Sequence, residues 1–553
     1  MNFMDEIDQA LVNTRLGDFA VDTTFHATLN ARGCYEGLRF VVRLSPRVHD
    51  LISTLPTGIG FSSSVTFEQM QAFSTYLHET IHWWQHIGST AGFLMSLSHP
   101  AQTHANLKPL LRLLELVGPV KSIYQLAASQ SDPSTPDTPA GLANTVINNQ
   151  FDIEAYRSLV TNPERADQLI HSPLFENMGH AYRIAQANGV LILGSTFDRE
   201  LALLPDPREW IDEYHRLGEI KEPGFFYGSP VTLSPIGAKY IFEGQARFSQ
   251  LQYLHFGTGG RFDWDDAADA GMLLPLYCSA FDAFLAASKL ARPSSLNHPV
   301  VGLFLLVCDI AMNPGEGFPY PVWSPPSFIS DNDIGLRFLH LAAAVRLFCP
   351  EVATAITTYS AGEYASVCEK LCTSLKIFSP IDNCRAVARF VEEGSAFRDC
   401  LALHDVGKAS LLNMPIQLMF GQFASYARDK LRHPEILCWP GPAMAGKFMR
   451  DTSAGVFSRQ SPLFIDRADS EMIVPVVRQG LNEADVIETF QNFYNGQALY
   501  DMTRQWIRVP GPFTYDYRWL QPNGSHEQSK HWAEEGFKST FGVEPDAFRL
   551  LPS

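Results

Sequence analysis

Among the 553 residues, the run His78-Glu79-Thr80-Ile81-His82 has the types and spacing best suited to chemistry. On a helix, residues four apart share a face, so both imidazoles project to one side and can ligate a single metal ion. Glu79 stands one residue on, where its carboxylate reaches a water on that metal without itself ligating. A zinc ion lowers the pKa of such a water toward about 7, and the carboxylate takes its proton as the water attacks a polarised carbonyl. The pattern predicts one Zn2+, two histidine ligands and a general base. Neighbouring Thr75, Tyr76, Leu77, Trp83 and Trp84 are uncharged, and burying two histidines and a glutamate among them is costly without a partner such as a metal. The blander alternative is a polar stripe on a solvated helix face. A non-enzymatic scaffold with a residual zinc site is a further alternative, but a structural zinc needs no general base, and Glu79 is intact.

The helix that must carry these residues has a legible start. Thr66 is placed to cap it, and Gln69 follows at capping-box spacing. Phe67, Met70, Phe73, Leu77, Ile81 and Trp84 then recur at helical intervals as a core-facing stripe, so the helix is predicted to run to about Gly88. Upstream, Val21, Thr23, Phe25, Ala27 and Leu29 alternate, and Gly37 to Val42 follows as a second strand-like run, which suggests a hairpin within Phe19 to Leu44. Gly58 to Ser64 adds a possible short strand. Ser129 to Gly141 reads as an exposed loop. Helical periodicity marks 142–161, 176–190, 208–218, 235–256, 266–291 and much of 333–435, and Pro440 to Pro475 reads as irregular. The expected fold class is therefore α+β and mostly α-helical, with a small N-terminal β-sheet beside the active-site helix. Dense proline between Asn313 and Pro326 suggests a boundary, with 1–325 as the unit holding the motif, 100–230 as its helical insertion, and 326–553 as a mainly helical domain of recognition or regulatory role.

The motif resembles that of the zincin metallopeptidases. The metzincin continuation is absent, since His82 is followed by Trp83-Trp84-Gln85-His86-Ile87-Gly88, and His86, one turn further on, is better suited to packing than to ligation. The gluzincin class takes its third ligand from a later helix, in a phrase similar to Tyr240-Ile241-Phe242-Glu243-Gly244-Gln245-Ala246. The resemblance thus implies Glu243 as third zinc ligand, on a helix opened by Ser234-Pro235 and closed by Phe256-Gly257, with Gly244 and Ala246 letting that helix approach the motif helix. It implies a zinc-dependent hydrolase of peptide bonds, a metalloprotease acting on a restricted intracellular protein or peptide substrate. Competing readings are an i,i+4 pair of Glu243 with Arg247 and a third ligand from Glu115, Asp152 or Glu154. For oxyanion stabilisation Tyr253, His255 and Tyr277 are available, and spacing selects none of them.

Leu403-His404-Asp405-Val406-Gly407-Lys408 is similar to the HD phosphohydrolase phrase, in which His404 and Asp405 would bind a metal. That site needs an upstream histidine, with His340 the nearest, and a downstream aspartate such as Asp451 or Asp466 from an irregular region. A helix end with Gly407 past its last turn is the simpler expectation. Glu79-Thr80-Ile81-His82 also reads as half of a di-iron site, but no second ExxH is present. His526-Glu527-Gln528-Ser529-Lys530-His531 has the wrong spacing for either class. A formal charge of -17 argues against general binding to nucleic acid or anionic lipid. The acidic start predicts no secretory leader and a cytoplasmic protein. The apolar run Val300 to Val307 is far short of the roughly 20 residues a membrane span needs. Nine cysteines without a CxxC pair suggest free thiols in a reducing compartment.

Overall fold

Thr66 opens the motif helix by the mechanism its spacing predicts. Its hydroxyl accepts from the Gln69 amide N–H while the Gln69 side chain takes the Thr66 N–H, a complete capping box. In the computed structural model, which describes residues 32–55, 65–129, 135–409, 413–468, 470–517 and 526–551, the elements used below run in chain order. They are β1 (Gly33–Glu36), β2 (Val41–Leu44), α1 (Pro46–Ser53), the motif helix α2 (Phe67–Gly88), α3 (Thr90–Val117), β3 (Val120–Lys121), α4 (Pro139–Thr161), α5 (Met178–Phe197), α6 (Ala238–Gly257), α7 (Pro275–Ser288) and α8 (Pro299–Ala311). Then come α9 (Ile334–Leu347), α10 (Ser395–Asp405), α11 (Met414–Arg432), β4 (Phe464–Arg467), β5 (Ser470–Pro475), α12 (Glu483–Arg508), α13 (His526–Phe541) and β6 (Arg549–Leu550). Further helices link them. The fold is α+β and mostly helical, as expected.

The sheet is less local than the sequence suggests. β1 and β2 form the hairpin, pairing antiparallel from Gly33 opposite Leu44 to Glu36 opposite Val41. Residues 37–40, read as strand, form its turn, with Phe40 at a φ of 58°. The alternating run Val21 to Leu29 and the segment Gly58 to Ser64 lie outside the described residues. The other two strands come from Pro440 to Pro475, which was expected to be irregular: the sheet order is β1-β2-β4-β5, with β2 and β4 parallel through Val42 and Ile465. Strands of four to six residues carry too short an alternation to be read without their partners. Asp466 fastens the junction by accepting from the Leu44 N–H at 3.0 Å and bonding His49 Nε2 at 2.8 Å.

Two helical expectations also change. The segment 266–291 is broken into Trp264–Asp269 and α7, because Gly271 turns with a φ of 67° and Pro275 starts a new helix. The helix carrying Glu243 is opened by Gly237, three residues after the predicted start. Ser234 instead closes a turn on Ile236 through its hydroxyl.

One hydrophobic cluster joins Leu77, Ile81 and Trp83 of α2 to Phe242 of α6, Leu303 to Val307 of α8, Phe420 and Phe423 of α11 and Phe493 of α12, so residues on both sides of the 325/326 line share a core. Trp84 donates its indole N–H to the Gln460 carbonyl at 2.8 Å, which satisfies a buried donor and ties α2 to the later half of the chain. Leu110, Val146, Trp506 and Phe537 belong to a second cluster between α3, α4, α12 and α13. Val300 to Val307 is a buried helix, and among the described residues no helix is long and apolar enough to cross a membrane.

Candidate metal centre

α6 packs across α2 and brings a carboxylate to the two histidines. Glu243 Oε2 lies 3.5 Å from His78 Nε2 and 3.5 Å from His82 Nε2, and the two nitrogens are 3.1 Å apart. Ligands at about 2.0–2.2 Å on the corners of a tetrahedron stand about 3.3–3.6 Å from one another, so the triangle has nearly the edges a single zinc ion requires. Among the described residues these three form the one grouping of histidine, cysteine or carboxylate groups suited to hold a metal. Gly244 does not serve the approach to α2. A Cβ there would stand 3.3 Å from Ala280 Cβ and from Phe304, so this glycine lets α6 lie against α7 and α8.

The aim of His82 follows from a relay. Gln85, one turn on, spends both amide hydrogens on the Phe242 carbonyl at 2.9 Å and on Gln245 Oε1 at 2.8 Å. Its own oxygen therefore faces His82 Nδ1, at 2.8 Å. Nδ1 must carry a proton, so Nε2 is the nitrogen directed at the centre, where a metal would replace its proton; outer partners of this kind set ring orientation. Gln85 was missed in the sequence, although its i+3 spacing from His82 was there to be seen. His78 has no such relay, and its Nδ1 is buried without a partner.

Glu79 lies beneath β1. Tyr35 donates its backbone N–H to the carboxylate, and a Cβ on Gly33 would fall 2.8 Å from Glu79 Cγ. Only glycine admits so close an approach of the strand. Burial raises the Glu79 carboxyl to about 7. Burial pushes His78 down to about 3. At His82 burial also works against the charged form, but the carboxylates of Glu243 and Glu79 prevail and hold it up to about 9. Glu243 is held well below the usual carboxylate range because the two histidines outweigh the effect of burial. These directions give an anionic Glu243 with its proton partner on His82, the arrangement in which a cation competes with a proton for the same lone pairs.

The competing assignments go elsewhere. Arg247 does not pair with Glu243; its guanidinium lies 3.9 Å over the Tyr277 ring and donates to Gln250 Oε1 at 2.6 Å. Glu115 pairs with Arg112, Asp152 with His180, and Glu154 with Arg508. His86 lies between Tyr35 and Phe242, at 5.2 Å from a tilted ring and 5.5 Å from an edge-on one. Of the three groups considered for the oxyanion, Tyr253 packs on Phe73 and His255 bonds the Phe262 carbonyl. Tyr277 alone lies against the centre, edge-on to His78 at 6.0 Å. In the HD-like string, Asp405 makes a two-pronged pair with Arg428 at 2.7 and 2.8 Å, His404 is buried against Gly421, and His340 is exposed. His404, Asp405 and His340 share no metal-type grouping among the described residues.

No family model matches the chain, and no curated protein or solved structure matches it either.

Proposed function

We propose that this chain is a zinc-dependent metallopeptidase in which His78, His82 and Glu243 hold one Zn2+ and Glu79 is the general base. The observation that carries this reading is the triangle of donor atoms, 3.1, 3.5 and 3.5 Å on its edges, with a separate buried carboxylate beside it. Two imidazoles and one carboxylate are the donor set of catalytic zinc sites, which keep a further position open. When bound, zinc would supply Lewis acidity and lower the pKa of a water toward neutrality. Glu79, poised near 7 by burial, can take up a proton and release it again at neutral pH. The Tyr35 N–H fixes its carboxylate, and β1 shields it from bulk water. The Glu243 side chain is 26% exposed against 7% for His78 and 12% for His82, so the centre opens on the side of α6, where a substrate carbonyl would enter. One ion with one adjacent base suits attack on a carbonyl, whereas in-line phosphoryl displacement commonly uses two metals. The expected substrate is a protein or peptide, and the expected compartment a reducing one, in keeping with nine free cysteines.

The test is elemental analysis of the purified protein, paired with mass spectrometry of new termini after incubation with a peptide library from a cell lysate. One equivalent of zinc and cleavage that disappears in Glu79→Gln are expected. Absence of zinc from the wild-type protein, or cleavage indifferent to Glu79→Gln, would overturn the assignment.

A further inference from the structure

A second concentration of polar chemistry surrounds a cavity of about 300 Å3 between α3, α4, α12 and the chain that leads from α12 to Tyr517. The β1–β2 turn completes its lining through Leu38 and Arg39. The volume is at the small end of ligand pockets, the size for one metabolite and too small for a folded partner. Two amides of the lining are incomplete. Gln150 Oε1, an acceptor, and Gln497 Nε2, a donor, are buried without a hydrogen-bond partner. The orientation of Gln150 is set from its other end, since its Nε2 donates to Glu154 Oε1 at 2.7 Å. Buried polar atoms in folded proteins are nearly always paired, so an acceptor and a donor left open on one cavity mark a place for a ligand edge with the opposite pattern.

The charges around the cavity are not evenly paired. Asp501 accepts from Gln505 Nε2 at 2.8 Å and from the Tyr517 hydroxyl at 3.0 Å, and it lies 3.5 Å from Arg504. Arg39 pairs with Glu36 at 2.9 Å, and Asp516 is also engaged. Behind His99, by contrast, Arg157 donates from Nη1 to His99 Nδ1 at 2.5 Å, and it makes no ion pair among the described residues. Glu154, one turn back on the same helix, is held by Arg508 at 2.6 Å. Burial keeps the His99 ring uncharged, so the hydrogen-bond partner of the guanidinium is neutral, and Glu154 acts on it only at longer range. Arg157 is half-buried, and a charge drawn this far from water without an anionic hydrogen-bond partner leaves this side of the cavity receptive to an anion. Tyr500 and Tyr517 add aromatic surface to the wall.

We propose that this cavity binds a small organic anion bearing a planar donor–acceptor edge, the edge reading Gln150 and Gln497 and the anionic group directed to Arg504 and the His99–Arg157 pair. Nucleoside monophosphates and N-acylamino acids share that chemistry, and the tyrosines favour the former. The site is separate from the metal centre and does not depend on its function.

The test is isothermal titration of the full chain with AMP, GMP, CMP and UMP on one arm and N-acetyl-L-alanine on the other, with inorganic phosphate as control. At least one of the organic anions should bind with a Kd below about 1 mM, more tightly than phosphate. Gln497→Leu removes a donor that has no partner in the protein, so it should keep the melting temperature while weakening binding about tenfold or more. Arg504→Gln, at an exposed position, should weaken the anions severalfold and serves alone if Gln497→Leu fails to fold. Binding of nucleotides but not N-acetyl-L-alanine, or the reverse, identifies the source. If none of these probes binds the wild-type chain, if phosphate binds as well as they do, or if binding survives both substitutions, the proposal is wrong.

Discussion

His78-Glu79 and His404-Asp405 are two histidine–acid steps, each on an α-helix and each with a buried imidazole, yet their surroundings differ in kind. On α2 the helix continues, so a second histidine follows one turn later, and α6 crosses to deliver Glu243 within 3.5 Å of both. On α10 the helix ends at Asp405, and Gly407 turns the chain away with a φ of 76°. Asp405 swings out to Arg428 while His404 packs inward. A metal requires donors that converge on one point. Adjacent residues on a helix diverge by about 100°, so a histidine–acid step is never a site until other elements supply the convergence.

The comparison breaks most visibly in catalysis. Glu79→Gln is expected to cut peptide hydrolysis about 10²–10⁴-fold with zinc retained, while a His404→Ala, Asp405→Ala double variant keeps both. Terminus-resolved mass spectrometry and elemental analysis read the two quantities, and loss of cleavage in the folded double variant alone would reverse the assignment of the two regions.

Metal content is the next largest difference. Removing Glu243 as alanine should take zinc from near one equivalent to a small fraction, whereas Glu154→Ala, whose carboxylate is tied to Arg508, should leave it unchanged. Equal zinc in the two proteins would return the third ligand to open competition.

A smaller effect sharpens the comparison, because at α2 the outer partner Gln85 aims the His82 ring at the metal centre. Gln85→Leu should lower zinc affinity about 10–100-fold without emptying the site at saturating metal, measured by competition with a chromophoric chelator. An unchanged affinity would mean that the bond from Gln85 to His82 does not position the ligand.

The smallest expected effect belongs to the quiet region. Burial lowers His404 to about 3, so between that value and its ordinary one the unfolded chain binds a proton that the folded chain refuses. Stability from this group therefore falls as pH drops below about 6.5, by about 1.4 kcal/mol per pH unit at most. His404→Gln should flatten the fall in melting temperature between pH 7 and pH 5, and an unaltered slope would show that this imidazole is not kept neutral by the fold.

Local chemistry was legible in the sequence. Thr66 and Gln69 stand three residues apart and the apolar stripe has a helical period, so the start, length and buried face of α2 could be read from residues in contact along one helix. Glu243 was legible only through the phrase around it. The strands at Phe464 and Ser470 were not, since so short a run at Phe464 acquires a meaning only against β2, more than 400 residues earlier, and the run at Ser470 only against that strand in turn. The boundary of α6 shifted because Gly237 must pass close to the Thr161 carbonyl, where a Cβ would meet it at 2.5 Å, a contact that no local pattern encodes.

By itself, then, the sequence determined which side chains share the motif face of α2, because helix geometry relates residues one turn apart whatever surrounds them. Only the tertiary structure decided that Glu243 faces those histidines while Arg247 turns to Tyr277, that Gln85 spends its amide on α6 and so aims His82, and that Gly33 lets a strand lie on Glu79. Each of these depends on the crossing of elements distant in sequence, and their relative placement is set by how the whole core packs.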